Sequence, residues 1–328
     1  MDILGGSADL PETIHGTVVT VGTFDGVHGG HQDVLARLGR RAAATGLPSL
    51  LVTFEPHPLE VINPAAAPLL LTTRDEKLDV LGRTGLDYVA VVPFTDALAA
   101  QSAEAFVDVL LLGGFRMREL LIGHDHGFGR GREGSADTLR VLGVSRGFSV
   151  DVVPPVRTAD GQVVSSSLIR RAIAGGELPY AEAALGRHYT VSGRVGEGDG
   201  RGRTLGYRTL NVGLESPRKL LPPDGVYAVM VDTPRGRFGG MLNLGGRPTF
   251  DDSRRTIEAH LFDTVGDFYG DTVHLAFVSR LRDTVKFADR SALSTQLEVD
   301  ERAARRALTA LGGADNLNGS TLAPPSTP

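Results

Sequence analysis

The sequence predicts an α/β protein with two domains: an N-terminal domain built on a parallel sheet, and a C-terminal antiparallel β-barrel followed by a terminal helix. A chain of 328 residues has room for about two domains, and its apolar fraction of 41% is typical of a globular core. In the first half, segments with a strand pattern alternate with segments with a helical pattern. In the second half, segments with a strand pattern follow one another with only turns between them. This change of pattern predicts a change of architecture along the chain.

The first half contains five short apolar runs rich in valine and leucine, which predict buried strands. They lie at residues 17–24, 49–54, 87–94, 119–123 and 148–154. Helical patterns separate them. Thr73 with Glu76 forms a capping-box pattern, and Ser102 is a predicted N-cap. The first helix, within residues 31–44, repeats apolar residues at helical spacing: Val34, Leu35, Leu38 and Ala42. Strand alternating with helix predicts a parallel sheet that is covered on both faces.

The second half contains strand-like runs with glycine, proline and aspartate turns between them. They lie at residues 189–195, 225–232, 238–245, 256–263 and 272–279, and they predict an antiparallel sheet or small barrel. A charged amphipathic helix follows at roughly 286–311, and Leu293, Leu297 and Ala304 are expected to pack it on the barrel.

The change of architecture near residues 175–187 sets the predicted domain bounds. The α/β domain takes residues 1–186 and the barrel with its helix takes 187–311. The polar tail at 312–328 is rich in proline and serine and is predicted to be disordered.

Composition excludes several classes of function. The net charge of −5 gives no general attraction to nucleic acid or to an anionic membrane, so neither is an expected partner. No apolar stretch is long enough to span a bilayer, and the N-terminus lacks the features of a signal peptide. The absence of cysteine rules out disulfides, thiolate metal sites and a cysteine nucleophile. A cytoplasmic protein of undetermined oligomeric state is the expectation.

The segment "VGTFDGVHGGH" (21–31) lies where the first predicted strand gives way to the first helix. Ligands bind at the carboxyl ends of parallel strands, and the N–H groups at a helix start favour phosphate. Gly22 and Gly26 allow the backbone to approach a ligand, while His28 and His31 can donate hydrogen bonds to phosphate oxygens. The residues alone leave two alternatives open: a turn with two solvated histidines, and a zinc pair without an obvious third ligand.

These motifs resemble a known family. "GTFDGVHGGH" is similar to the H-x-G-H signature of the nucleotidyltransferase superfamily. "VGTFDGVHGGHQDVL" together with "LLVTFEPHP" (50–58) resembles, more narrowly, the bacterial bifunctional riboflavin kinase/FAD synthetases. The resemblance implies a Rossmann-like nucleotidyltransferase domain in which the phosphate of FMN attacks the α-phosphate of ATP. His28 and His31 would be catalytic, and the implied nucleotide-binding residues of this segment are Gly22, Thr23, Phe24, Asp25 and Gly26.

The segment "LLIGHDHGFGRGREG" (120–134) resembles the family's motif that lines the nucleotide and flavin site. The resemblance assigns flavin binding to Asp125, Phe128 and Gly129. From the residues alone, a turn aspartate that caps its own backbone is an equal alternative for Asp125. His124 and His126 receive no role.

The segment "VSSSLIRRAIAGGE" (164–177) resembles the family's S-S-T-x-I-R motif. It implies that Ser165, Ser166 and Arg170 form a second phosphate cradle, for which the planar guanidinium of arginine is suited. Serines before a helix are also ordinary N-caps, and the residues alone favour that interpretation.

The segment "GRTLGYRTLN" (202–211) resembles the family's kinase motif G-R-x-L-G-[FY]-P-T-x-N except at Arg208, which replaces the usual proline. The resemblance implies that Gly202 and Arg203 bind nucleotide and that Thr209 and Asn211 hold Mg²⁺. On a strand these last two residues share a face and offer hard oxygen ligands, although a solvated polar face is the alternative.

The segment "TIEAHLFDTVGDFYG" (256–270) also matches the family's kinase module. It implies that Glu258 is the base that takes the proton from the 5′-hydroxyl of riboflavin. For a lone glutamate on a strand, a solvated side chain is the simpler interpretation.

The predicted function is therefore phosphorylation of riboflavin to FMN by ATP, followed by adenylylation of FMN to FAD with release of pyrophosphate. Mg²⁺ is the expected cofactor, ATP the co-substrate, and riboflavin and FMN the small-molecule substrates. Three alternatives remain: an FAD synthetase whose kinase module is impaired by Arg208, a cytidylyl- or pantetheine-phosphate-type transferase, and a flavin-binding protein without catalysis.

Overall fold

The computed structural model describes residues 1–124, 127–197, 207–246 and 255–315. The chain divides into two compact units. The first comprises residues 1–170 and 184–186, and the second comprises 171–183 and 187–328.

The first unit is built on a six-stranded parallel sheet with the strand order β1-β4-β3-β2-β5-β6. The strands are β1 Asp2–Leu4, β2 Thr17–Val21, β3 Ser49–Glu55, β4 Tyr88–Pro93, β5 Met117–Gly123 and β6 Ser149–Val153. The parallel sheet and its five predicted strands are confirmed. The additional strand β1 forms the edge of the sheet beside β4, and its three residues are too short to show a periodicity in the sequence.

Helices connect these strands. They are α1 Gly29–Thr45, α2 Pro58–Ile62, α3 Arg74–Leu81, α4 Asp96–Ala99, α5 Ala103–Ala105 and α6 Ala136–Arg146, with a π-helical stretch at Phe106–Gly114 that continues α5. The predicted capping box is present, because the hydroxyl of Thr73 accepts from the N–H of Glu76 at 3.3 Å and the Glu76 carboxylate accepts from the N–H of Thr73 at 2.9 Å. The predicted cap Ser102 accepts from the N–H of Ala105.

Both faces of the sheet are buried, as predicted for parallel strands. On β2, Val18 packs in one cluster with Leu38 of α1, whereas its neighbour Val19 packs in a second cluster with Phe115. Strand β2 pairs with β3 on one side and with β5 on the other, so the order of the strands reverses direction at β2. In open α/β sheets this switch point opens a crevice at the carboxyl ends of the strands.

The second unit is built on a closed antiparallel barrel with the strand order β10-β11-β8-β7-β12-β9. The strands are β7 Tyr189–Gly196, β8 Leu210–Leu214, β9 Gly225–Thr233, β10 Gly236–Gly246, β11 Arg255–Leu261 and β12 Thr272–Arg282. Two helices, α7 Ser166–Gly175 and α8 Leu178–Leu185, precede the barrel in the chain, and α9 Arg290–Asp315 follows it. The predicted antiparallel barrel with a terminal helix is confirmed.

Helix α9 packs on the outside of the barrel. Ala304 is fully buried in a cluster with Ala228, Met241 and Phe262, and Leu297 packs against the same cluster. The helix starts at Arg290 rather than near 286, because the carboxylate of Asp289 caps it by accepting from the N–H of Ala292 at 2.8 Å. It continues to Asp315, and the remaining residues of the predicted disordered tail, 316–328, lie outside the described part of the chain.

Gly193 of β7 lies in close contact with the backbone and side chains of β8. A Cβ at this position would overlap the carbonyl oxygen of Gly213 and lie 2.6 Å from Cγ1 of Val212, whereas a Cβ at Gly196 on the same strand meets nothing within 4 Å. We expect Gly193→Ala to lower the free energy of unfolding by about 2–3 kcal/mol. The matched variant Gly196→Ala should change it by less than about 0.5 kcal/mol. Urea unfolding of both variants measures the difference, and equal values would contradict the close packing of β7 on β8.

Candidate active sites

The first unit has a cleft of about 550 Å³ at the carboxyl ends of its central strands. Its polar lining comes from the segment between β2 and α1 and from the start of α7. The predicted site residues that line it are Gly22, Thr23, Phe24, His28, His31, Phe128, Gly129, Ser165 and Ser166. The structure therefore brings together residues from three separate sequence motifs.

The loop between β2 and α1, residues 22–28, has an unusual backbone. Phe24 and Val27 have positive φ angles, 48° and 40°, although both carry side chains. Such a conformation costs of order 1 kcal/mol per residue and persists only where the surroundings impose it. The contacts of Asp25 supply that constraint.

Asp25 is buried, and its carboxylate is the centre of a hydrogen-bond network. It accepts from the backbone N–H groups of Leu71 at 3.0 Å and Thr72 at 2.9 Å, and from the Thr72 hydroxyl at 3.1 Å. Nη2 of Arg170 donates to the same carboxylate at 2.6 Å. Asp25 and Arg170, both predicted to bind nucleotide, thus bind each other and do not line the cleft.

The start of α7 is attached to this loop. The hydroxyl of Ser166 donates to the carbonyl oxygen of Asp25 at 3.0 Å, and Nε of Arg170 donates to the carbonyl oxygen of Leu69 at 2.9 Å. Ser165 acts as an N-cap, because its hydroxyl accepts from the N–H of Leu168 at 3.4 Å. Ser165 therefore has the N-cap role that the residues alone favoured, whereas Ser166 bonds the loop; both serines line the cleft.

The two histidines form a stack at the N-terminus of α1. The rings of His28 and His31 lie 3.7 Å apart with an interplanar angle of 20°, and the ring of Phe24 stacks on His31 at 4.5 Å. Nδ1 of His28 accepts from the N–H of His31 at 3.4 Å, so His28 caps the helix and a neutral His28 carries its hydrogen on Nε2. A Cβ at Gly30 would lie 3.1 Å from the His28 ring, which explains the glycine of the motif.

The surroundings of His31 favour its neutral form. Burial, followed by the charges of His28 and Lys77, holds the pKa of His31 well below its usual value. Its Nδ1 is buried and has no hydrogen-bond partner among the described residues. The His31 residue itself lines the cleft at the N-terminus of α1, where helix N–H groups favour an anion.

Lys77 of α3 contacts residues of the cleft wall without lining the cleft itself, and the sequence did not reveal it. It is buried, and its Nζ donates to the Thr23 carbonyl at 3.4 Å, the Thr53 hydroxyl at 3.3 Å and the Phe54 carbonyl at 3.5 Å. All three acceptors are neutral oxygens, and burial lowers the pKa of the ammonium while the charge of Glu55 partly opposes this. No periodicity distinguishes this lysine from a solvated helix residue in the sequence.

Aromatic side chains form another part of the cleft lining. Phe54 lies 5.4 Å from Phe94 and 6.3 Å from Phe106 between ring centroids, and Phe106 lies 4.9 Å from Phe128. All four residues line the cleft and form what we call the aromatic cluster. Such a surface suits a flat conjugated ring system. Asp125, predicted beside Phe128, lies outside the described residues.

The second unit has a smaller cleft of about 290 Å³ on the outer face of the barrel, next to α9. Thr209 and Glu258 line it. Glu258 lies directly opposite Asn211 on β8 and Asn243 on β10, so the three side chains form one row across neighbouring strands. The predicted kinase residues Thr209, Asn211 and Glu258 therefore come together, whereas Gly202 and Arg203 lie outside the described residues.

The donor set of this row fits a magnesium ion. A threonine hydroxyl, an amide oxygen and a carboxylate are hard oxygen ligands, and Mg²⁺ takes few protein ligands because it keeps waters and substrate phosphates. Within the described residues no group of three or more His, Cys, Asp or Glu side chains is arranged to hold a metal, so a dedicated transition-metal site finds no support there.

Arg282 and Asp300 also line the second cleft and were missed in the sequence. Asp300 of α9 is buried and accepts from Nε of Arg282 at 2.9 Å and from Nη2 at 2.7 Å. Nη1 of Arg282 donates to the Asp283 carbonyl at 2.8 Å. This pair attaches the end of β12 to α9, and its 18-residue separation gives no local sequence signal.

Comparison with known proteins agrees with this two-site arrangement. A family model described as FAD synthetase matches residues 10–168, and one described as riboflavin kinase matches residues 185–308. The first match contains the cleft at the β2–α1 loop, and the second contains the cleft on the barrel.

Two curated relatives match almost the whole chain. The bifunctional riboflavin kinase/FMN adenylyltransferase of Pseudomonas fluorescens is 39% identical over 93% of this chain and 97% of its own length. The protein of the same name from Escherichia coli K12 is 39% identical over 88% of this chain and 92% of its own length.

A solved structure shares the fold. A crystal structure described as a macrolide-efflux protein from Streptococcus pneumoniae superposes with a TM-score of 0.81 at 30% identity, covering 93% of this chain and 98% of that one. In the described part of the present chain, no helix combines the length and the apolar character that crossing a membrane requires. From its two domain matches and its curated relatives, the chain belongs to the family of bifunctional riboflavin kinase/FMN adenylyltransferases.

Proposed function

We propose that the two clefts catalyse successive steps: the barrel cleft converts riboflavin to FMN with ATP, and the cleft of the first unit converts FMN to FAD with a second ATP. The observation that carries this proposal is the stacked pair His28 and His31 at the N-terminus of α1, inside a cleft that also contains the aromatic cluster. One cleft thus combines a phosphate-binding helix end with a surface for a flavin ring.

In the adenylylation step, a phosphate oxygen of FMN attacks the α-phosphorus of ATP. The new P–O bond forms as the bond to the β-phosphate oxygen breaks, and pyrophosphate leaves with the electron pair. Negative charge grows on the α-phosphate oxygens, where the imidazole hydrogens and the first N–H groups of α1 stabilise it. No covalent enzyme intermediate is needed.

The other nucleotide-binding assignments follow from the geometry of the loop. Gly22, Thr23 and Phe24 line the cleft with Ser165 and Ser166, and we assign them to the nucleotide. Asp25 and Gly26 do not line the cleft, and we assign them to holding the conformation of the β2–α1 loop. Arg170 donates through Nη2 to Asp25 and through Nε to the carbonyl oxygen of Leu69, so we assign it to the support of the loop that binds the nucleotide.

In the kinase step, the carboxylate of Glu258 accepts the proton of the riboflavin 5′-hydroxyl as that oxygen bonds to the γ-phosphorus of ATP, and ADP leaves. Thr209 and Asn211 would hold Mg²⁺, which when bound neutralises the phosphate charge. The protein's own contribution is to place the base and the hydroxyl within hydrogen-bond reach.

Residues 1–186 are assigned to the adenylyltransferase and 187–311 to the kinase, with riboflavin, FMN and ATP as small-molecule substrates. ATP and Mg²⁺ are plentiful in the cytoplasm, where we place the enzyme. The presence of Glu258 in a row with Asn211 favours this two-step function over an FAD synthetase alone.

His28 tests the first cleft. We expect His28→Asn to lower the rate of FAD formation from FMN by about 10²–10³-fold, the usual cost of removing one group that stabilises transition-state charge. Asparagine is a good N-cap, so α1 keeps its cap and the loss is chemical. FMN formation from riboflavin in the same sample is the control, and an unchanged rate of FAD formation would contradict the role of His28.

Glu258 tests the second cleft. Glu258→Gln keeps the size of the side chain but removes the base, so we expect the rate of FMN formation to fall by about 10²–10⁴-fold. Chromatography of the flavins after incubation with riboflavin, Mg²⁺ and ATP gives this rate. The variant should still convert added FMN to FAD, and a wild-type rate of FMN formation would exclude Glu258 as the base.

Asp25 tests the shape of the loop. Asp25→Asn leaves the Arg170 guanidinium without its buried counter-charge, so we expect a loss of about 3–5 kcal/mol in unfolding free energy together with reduced FAD synthesis. Asp33→Asn is the matched control, because its pair with Arg37 lies on the surface of α1 and contributes about 0.5 kcal/mol or less. Chemical denaturation compares the two variants; equal losses would show that the Asp25 network is not a main support of the loop.

A further inference from the structure

Arg208 occupies the position at which the related kinase motif has proline, directly before Thr209. Proline fixes its own φ and restricts the residue before it, so it directs the chain into the next strand. Arginine supplies no such restriction. The position of Thr209 in this chain therefore requires another constraint.

The backbone ladder does not provide it. Strand β8 pairs with β11 through Asn211 opposite Glu258 and through Leu210 opposite Ala259, where the pairing ends. Thr209 lies one residue beyond the last pair, and His260 is the residue of β11 that follows Ala259. The backbone pairing therefore does not fix the position of the residues before Thr209, and side-chain contacts have to do so.

His260 makes such a contact. Its Nδ1 lies 2.8 Å from the carbonyl oxygen of Arg208. A carbonyl oxygen only accepts hydrogen bonds, so Nδ1 carries the hydrogen and donates it. The bond fixes the peptide group that joins Arg208 to Thr209.

Tyr207, the residue before Arg208, also contacts His260. Its ring lies 5.0 Å from the His260 ring in an edge-on arrangement, and His260 has a similar contact with Phe262 at 5.8 Å. Tyr207 also packs against the cluster of α9 and barrel residues that contains Ala304. Burial, and then the charge of Glu301 on α9, raise the pKa of the Tyr207 hydroxyl.

We propose that His260 is a positioning residue for the kinase step: its bond to the Arg208 carbonyl holds Thr209 in the barrel cleft and replaces the constraint that proline provides elsewhere. This inference rests on the proposed kinase role of Thr209. Within the described residues the N–H of Arg208 donates no hydrogen bond, so proline can be introduced there without breaking a bond of the described structure.

The experiment is a double-mutant cycle on the full chain. His260→Phe keeps an aromatic ring between Tyr207 and Phe262 but removes the donor. His260→Asn is the conservative variant, since its amide nitrogen can reach the position of Nδ1. Arg208→Pro, alone and combined with His260→Phe, completes the cycle.

Two readouts are used. The first is the kinase rate with riboflavin at varied Mg²⁺·ATP, and FAD formation from added FMN controls for the integrity of the chain. The second is hydrogen–deuterium exchange of the peptide covering 207–211 without substrate, with the β12 peptide as the control for the barrel fold.

We expect His260→Phe to raise the KM for Mg²⁺·ATP in the kinase step about three- to tenfold, the usual effect of losing one hydrogen bond, and to speed exchange at 207–211. His260→Asn and the Arg208→Pro/His260→Phe double variant should restore both values towards wild type. A His260→Phe variant with wild-type KM and exchange would overturn the proposal.

A second result would also overturn the proposal. If His260→Phe and the double variant were equally impaired, His260 would act on the substrate or on Glu258 and not on the backbone before Thr209. Should the wild-type protein make no FMN, the proposed kinase function fails, while the exchange readout still decides whether His260 fixes the segment.

Discussion

The buried carboxylate of Asp25 is the contact on which the first active site depends. It receives two backbone N–H groups, a hydroxyl and a guanidinium, which come from the segment before α3 and from α7. Because residues on both sides of Asp25 have positive φ angles, the loop would relax if these bonds were absent. The network thus converts a strained turn into a fixed platform for the histidine pair.

In the proposed function the two clefts meet the same electrostatic need, which is the binding of a polyphosphate, with different architecture. The first uses the N-terminus of a helix at the end of a parallel strand, where backbone N–H groups and imidazoles converge. The second uses a row of oxygen-bearing side chains across three antiparallel strands, on the outer face of a barrel whose interior is apolar. A helix end binds an anion directly, whereas the oxygen row requires a cation between itself and the phosphates.

Much of the fold follows from local patterns in the sequence. Strands β2 to β6, the capping box of Thr73 and Glu76, and the barrel were predictable because short apolar runs, helical spacing and turn residues are short-range signals. The three-residue strand β1 was not, since it exists only through pairing with β4. The start of α9 was misplaced because the capping role of Asp289 was not recognised among several charged residues.

The sites were predictable to a smaller extent. His28, His31 and Glu258 lie in motifs whose spacing already suggests chemistry, and the structure places them in clefts. The long-range contacts that fix the segments around the two clefts could not be found in this way. Asp25 meets Arg170 across 145 residues, and the Arg282–Asp300 pair joins a strand to a helix. Such contacts depend on tertiary packing and have no local signature.

Lys77 has a consequence for the protein as a whole. An ammonium withdrawn from water and bonded only to neutral oxygens carries a desolvation penalty that the folded chain must bear. One of those oxygens belongs to Thr23 in the wall of the cleft, so the negative charge of an arriving nucleotide offsets part of that penalty through space. With the nucleotide binding proposed here, occupancy of the cleft and folding of the first unit are thermodynamically linked.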